Sequence, residues 1–161
     1  MTNSGFLIFF IISFLLQIGF VPFLEIKGVK PDLLLIFVII LGLQRERFWG
    51  TLSGFFVGLI QDFFCGGFLG VFALAKTFSA FLVRTLSEGS YEKGGVHFGI
   101  LVFVISLFHE LLVNWISVWG TGTSLIVVVV RAVVPGALYT TLLAVIVYEV
   151  FPKRFFRQHD Y

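Results

Sequence analysis

Residues 49–70 read WGTLSGFFVGLIQDFFCGGFLG, and the reading of the fold starts there. Gly50, Gly54 and Gly58 recur every four residues in an apolar segment. On a helix they form one stripe without side chains, along which a second helix can approach closely. Asp62 continues the stripe. A carboxylate at the end of a hydrophobic helix must lie near water, be paired or be protonated. Cys65, Gly66, Gly67 and Gly70 then read as a tight reversal of the chain.

The rest of the chain gives this helix a membrane setting. Of 161 residues, 58% are hydrophobic and only 12% charged, and the mean hydropathy is +1.05. Soluble domains carry about 25% charged residues, so the composition indicates a polytopic membrane protein. Six apolar segments divide the sequence, at about 5–24, 31–43, 48–64, 68–86, 96–119 and 124–151. Together they leave no room for a soluble domain, and residues 1–161 are expected to form a single integral membrane domain. Intramolecular packing is the expected use of the glycine stripe, because five other helices compete for it. The net charge of +2 gives no reason to invoke nucleic acid. Cys65 is the sole cysteine, so no internal disulfide can form.

Taken in order, the first segment lacks the positive flank of a signal peptide and reads as a span. The second opens with Pro31 and Asp32, both suited to a first helical turn. Its apolar run, Leu33 to Leu43, covers only half a bilayer, so it should be tilted, broken or sheltered by neighbours. Ser106, Glu110 and Asn114 draw a polar line along the fifth segment, with His109 beside it. Pro135 should kink the sixth. Lys and Arg concentrate in the loops that are cytoplasmic if the amino terminus is, so both termini are expected on that side.

Four charges remain inside the membrane. Counting about 1.5 Å per residue, Lys76, Glu110 and Arg131 all fall ~11–14 Å from the outer ends of their helices, with Asp62 nearer its own end. Two acids and two bases sum to zero. The expectation is a polar cluster of Asp62, Lys76, Glu110 and Arg131 with His109 beside it, serving either binding or helix packing, and with Glu110 and Arg131 as its leading pair. Enzyme signatures are incomplete. His109 and Glu110 begin an HExxH pattern, but Val113 stands where the second histidine would be. Ser53 lies in GTLSG, which is not the GxSxG elbow. A non-enzymatic protein without metal or other cofactor is expected.

PDLLL at 31–35, a short helix ending in basic residues, and then Trp49, Gly50, Gly54, Gly58, Asp62, Gly66, Gly70, Ala73 and Leu74 together resemble the MreD family of bacterial rod shape-determining proteins. Pro31, Asp32, Gly66, Gly70 and Pro135 are the further motif positions carried over. Near Pro135 the family often has an Asn a few residues on, where this chain has Tyr139, Thr140 and Thr141. The resemblance implies an inner-membrane scaffold of the cell-elongation machinery with six transmembrane helices. Its fold would resemble the membrane substrate-binding subunit of energy-coupling-factor transporters. The implied partners are an MreC-like single-span protein, a glycan polymerase with its penicillin-binding transpeptidase, the MreB filament, and membrane lipid. The alternative is a substrate-binding subunit of a small-solute transporter with an outward polar pocket. Such subunits use small residues in helix one, often alanines, to contact a coupling protein. Here that helix reads FLIFFIISFLLQIGF at 6–20, without an alanine.

Overall fold

The computed structural model describes residues 3–65, 68–87 and 95–150. Gly66, most of the Ser87 to Gly95 loop and the basic tail with Lys153, Arg154 and Arg157 lie outside the described residues.

The described chain is all helical apart from one isolated bridge. Its helices are α1 (Asn3–Gly19), α2 (Leu33–Gln44), α3 (Arg47–Cys65), α4 (Val71–Ser87), α5 (Gly95–Ser117) and α6 (Leu125–Val150). Three of them, α3, α5 and α6, are long and apolar enough to cross a membrane. Large apolar side chains such as Leu15, Phe63, Ile100 and Leu142 stand exposed on the outside of the bundle, the arrangement expected of a transmembrane protein.

The shortest helix is the centre. Every residue of α2 from Leu34 to Gln44 is buried, and α2 contacts all five other helices. Its twelve residues rise ~18 Å, well short of a hydrocarbon core. That is tolerable because its neighbours, rather than lipid, enclose it. One core cluster joins Leu35, Ile39 and Leu43 to Val102 and Ile105 of α5 and Ala144 of α6. A second joins Leu34, Phe37 and Leu41 to Phe6 of α1 and Val57 of α3.

The link from α1 to α2 folds over the start of α2. Helix α1 stops at Gly19 rather than continuing to residue 24, because Pro22 cannot donate to an α-helical ladder and opens a 3-10 turn, Val21–Leu24. Ile26 and Val29 then exchange two backbone bonds of 3.0 Å. Lys27 and Gly28 between them have φ of 52° and 83°, the paired positive angles of a tight reversal.

The glycines of α3 face α4, the most extensive helix pair in the fold. A Cβ at Gly58 would lie 2.5 Å from the Cα of Ala73 and still nearer the carbonyl oxygen of Phe72. At Gly54 it would come within 2.7 Å of the carbonyl oxygen of Lys76. Gly50 is looser and meets Gly42 of α2 at 3.2 Å. In α6 the effect of Pro135 emerges upstream. Val129–Val133 is a π-helical segment in which the Val134 N–H bonds to the Val129 carbonyl, so the ladder lengthens by one residue before the proline.

Candidate functional site

The start of α2 lies inside the bundle, and Asp32 carries the polar centre found there. As the N-cap of α2 it accepts a 2.8 Å bond from the Leu35 N–H through Oδ1. Its other oxygen, Oδ2, holds the Nζ of Lys76 from α4. The Asp32 N–H donates to Oγ1 of Thr140 on α6 at 3.1 Å. His109 of α5 completes the group, with Nε2 3.4 Å from Lys76 Nζ and 3.8 Å from Asp32 Oδ2. Lys76 and Thr140 are 0% exposed and His109 1%. Four helices thus meet at one residue, Asp32.

Aromatic and aliphatic groups close the centre. The Phe72 ring lies 5.4 Å from Lys76 Nζ and stacks on His109 with centroids 6.3 Å apart, adding a cation–π contact to the lysine. His109 Nδ1 and Ser106 Oγ, one helical turn apart on α5, have no hydrogen-bond partner among the described residues. The α1–α2 link packs above the centre, tied down by a 3.2 Å bond from Tyr139 Oη to the Leu24 carbonyl. Among the described residues no three His, Cys, Asp or Glu side chains could hold a metal ion.

This arrangement differs from the sequence expectation in three ways. Lys76 and His109 do come together, but around Asp32. Asp62 sits instead at the amino end of α4, where Oδ1 accepts from the Phe72 N–H and Oδ2 from the Ala73 N–H, both at 3.0 Å. It thereby satisfies two donors that the helix leaves open. Third, the expected pair of Glu110 and Arg131 is not formed. Glu110 is partly buried and accepts a 3.0 Å bond from Asn114 Nδ2, and it packs against Gly136, where a Cβ would lie 3.2 Å from its Cδ. Arg131 is exposed, and no ion pair joins it to Glu110 among the described residues. Similar depth counted along the sequence did not make them partners: Arg131 lies within the π-helical segment and is exposed.

Of the other motif positions, Pro31 is buried ahead of Asp32. Gly70 has a φ of 98° at the turn into α4, a conformation that L side chains rarely adopt. Pro135 follows the π segment. Thr140 is a polar partner that sequence reasoning missed as such: it enters there only with Tyr139 and Thr141 near Pro135, and a threonine on an apolar helix carries no signal of what it meets.

A separate feature lies on the outside. Helices α1 and α3 touch at one end, where the rings of Phe14 and Phe64 meet edge to face at 5.1 Å. Elsewhere they leave a cleft of about 440 Å³, floored by Phe37 and Leu41 of α2 and walled by Phe6, Phe10, Phe56 and Ile60. Arg45 lies at its far end, its guanidinium over the Phe6 ring at 4.9 Å.

In comparison with known proteins, residues 2–157 fit the family model described as rod shape-determining protein MreD. No curated protein and no solved structure matches the chain. The family match takes in α1 to α6, with Asp32 at the centre of the bundle and the glycines that bring α3 onto α4, and so this chain belongs to the MreD family of rod shape-determining proteins.

Proposed function

We propose that this protein is a non-enzymatic, multi-pass scaffold of the bacterial inner membrane that holds a single-span partner of the MreC type. Through that partner it supports peptidoglycan synthesis by a glycan polymerase and its transpeptidase during rod-shaped growth. The MreB filament is reached from the cytoplasmic side, to which the Lys and Arg count in the loops leads us to assign both termini. The observation that carries this reading is the cleft between α1 and α3. Its length along α3, from Trp49 to Ile60, is ~16 Å, about three turns of a docked helix. Its walls are rings and branched aliphatic side chains, and the small Ser53 lies along the cleft, where a second backbone can come close.

The polar centre supports the same reading. Lys76 is sealed in its ion pair and 0% exposed, so it is a clamp on helix positions and not a group free to hold a solute. The test is site-specific photo-crosslinking in native membranes. A photoreactive residue at Phe56, in the cleft, should capture a single-span protein with an extracytoplasmic domain. The same group at Leu142, exposed on α6, should capture none. Equal capture at both positions, or none at Phe56, would overturn the cleft as the docking surface.

A further inference from the structure

Trp49, Ser53, Phe56 and Ile60 of α3 line the α1–α3 cleft at intervals of four, three and four residues. That alternation is the seam of a left-handed helix pair, in which the partner lies about 20° from parallel. Ser53 is the smallest side chain of the lining among the described residues. Its Oγ donates to the Trp49 carbonyl at 2.7 Å, so the hydroxyl is used inside α3 and leaves no donor over for the cleft. Gly50 and Gly54 are turned toward α2 and α4 and cannot serve this face. From α1 the cleft receives only Phe6, Leu7 and Phe10 among the described residues. A second backbone can therefore come close at Ser53 and at no other point of the described lining.

The two ends of the cleft differ. Beyond Ile60 the next position of the seam is Phe64, whose ring already meets that of Phe14 at 5.1 Å, so an occupant must leave α3 there. At the opposite end Arg45 is the one charged side chain of the lining among the described residues. An occupant therefore reaches that level with a neutral or acidic residue, because like charges side by side are costly. We propose that Ser53 is the crossing point of the docked helix. The single-span partner of the scaffold reading, on which this inference rests, presents a glycine, alanine or serine to Ser53 and carries no base opposite Arg45. Large apolar residues three or four positions to either side of that small residue fill the space between Phe10 and Phe56. Contact is confined to the stretch from Trp49 to Ile60, and beyond it the partner stands off α3.

The experiment uses the full chain in native membranes, with photoreactive residues placed singly at Trp49, Phe56 and Ile60 and at Phe63, which is 70% exposed outside the seam. Sequencing the cross-linked peptides gives a contact map. Cross-links from the three seam positions should fall on one face of one membrane segment, spaced three or four residues apart around a glycine, alanine or serine, and Phe63 should give none. Ser53→Ala should leave capture at Phe56 unchanged, while Ser53→Leu should lower it about tenfold or more. The unfolding midpoint of both purified variants should stay that of the parent, because Ser53 is not buried. The map decides the matter if Ser53→Leu fails to fold. Capture that survives Ser53→Leu, cross-links centred on a large side chain, or a Lys or Arg opposite Arg45 would overturn the crossing point and leave the docking reading standing. No capture at any of the three seam positions would overturn both.

Discussion

Asp32 and Lys76, 44 positions apart in the chain, form an ion pair with side-chain exposures of 7% and 0%. A single unpaired charge in such a place costs several kcal/mol, while a pair satisfied by further hydrogen bonds is tolerated. Here the carboxylate also caps α2, and its own N–H is bonded to Thr140. The pair therefore fixes where α2, α4 and α6 stand relative to one another, the rigidity that the scaffold role proposed above requires.

Thr140 should behave as part of this centre. Thr140→Val leaves the buried Asp32 N–H without its acceptor, at a cost of about 1–3 kcal/mol. Thr140→Ser keeps the hydroxyl and should recover most of that loss. Denaturant titration of the purified variants in mild detergent checks both.

The glycines of α3 should rank by how closely α4 approaches. Gly58→Ala meets backbone atoms and should be the most damaging, exceeding the roughly 1–3 kcal/mol of ordinary overpacking. Gly54→Ala should follow, and Gly50→Ala, whose Cβ has 3.2 Å to Gly42, should be mild. Thermal unfolding midpoints of the three variants give the order.

Asp62→Ala should lower stability by about 1–2 kcal/mol through loss of the cap on α4. Asp62→Asn retains one acceptor oxygen and should lose about half as much. Hydrogen exchange should localise the change to the Phe72 and Ala73 amides, leaving the Asp32 centre protected.

Arg131→Leu should leave folding stability within about 0.5 kcal/mol of the parent, because the residue is exposed and forms no pair with Glu110. Glu110→Ala should be the costlier change, since it empties the contact with Gly136 and removes one of the two bonds made by Asn114 Nδ2, leaving the one to the residue-110 carbonyl. Comparing unfolding midpoints of the two single variants with that of the double variant should show additive effects.

Much of this was legible from hydropathy and spacing. Six apolar segments separated by Gly, Pro and charge mark out the helices, and glycines four apart mark a stripe by helical geometry alone. The partner of Lys76 was not legible. Asp32 after Pro31 reads as an ordinary helix start, and only the burial of a twelve-residue α2 among its neighbours carries that start down to the level of Lys76. Depth counting also fails for direction. It put Glu110 and Arg131 at one level but could not foresee the extra residue in the ladder at Val129–Val133 or the exposure of Arg131. Asp62 was misplaced for a related reason, since the turn at Gly70 brings the first free N–H groups of α4 back onto it.

The central claim is that the Asp32–Lys76 pair is a structural clamp, and a double-mutant cycle with Asp32→Asn and Lys76→Met tests it most directly. Unfolding of the four proteins in detergent is read alongside restoration of rod shape in cells lacking the native protein. The clamp predicts that each single change costs about 3–5 kcal/mol by stranding the other charge, and that the double variant recovers most of this loss together with rod shape. Additive losses in the double variant, or a double variant that is stable and yet leaves the cells round, would contradict it.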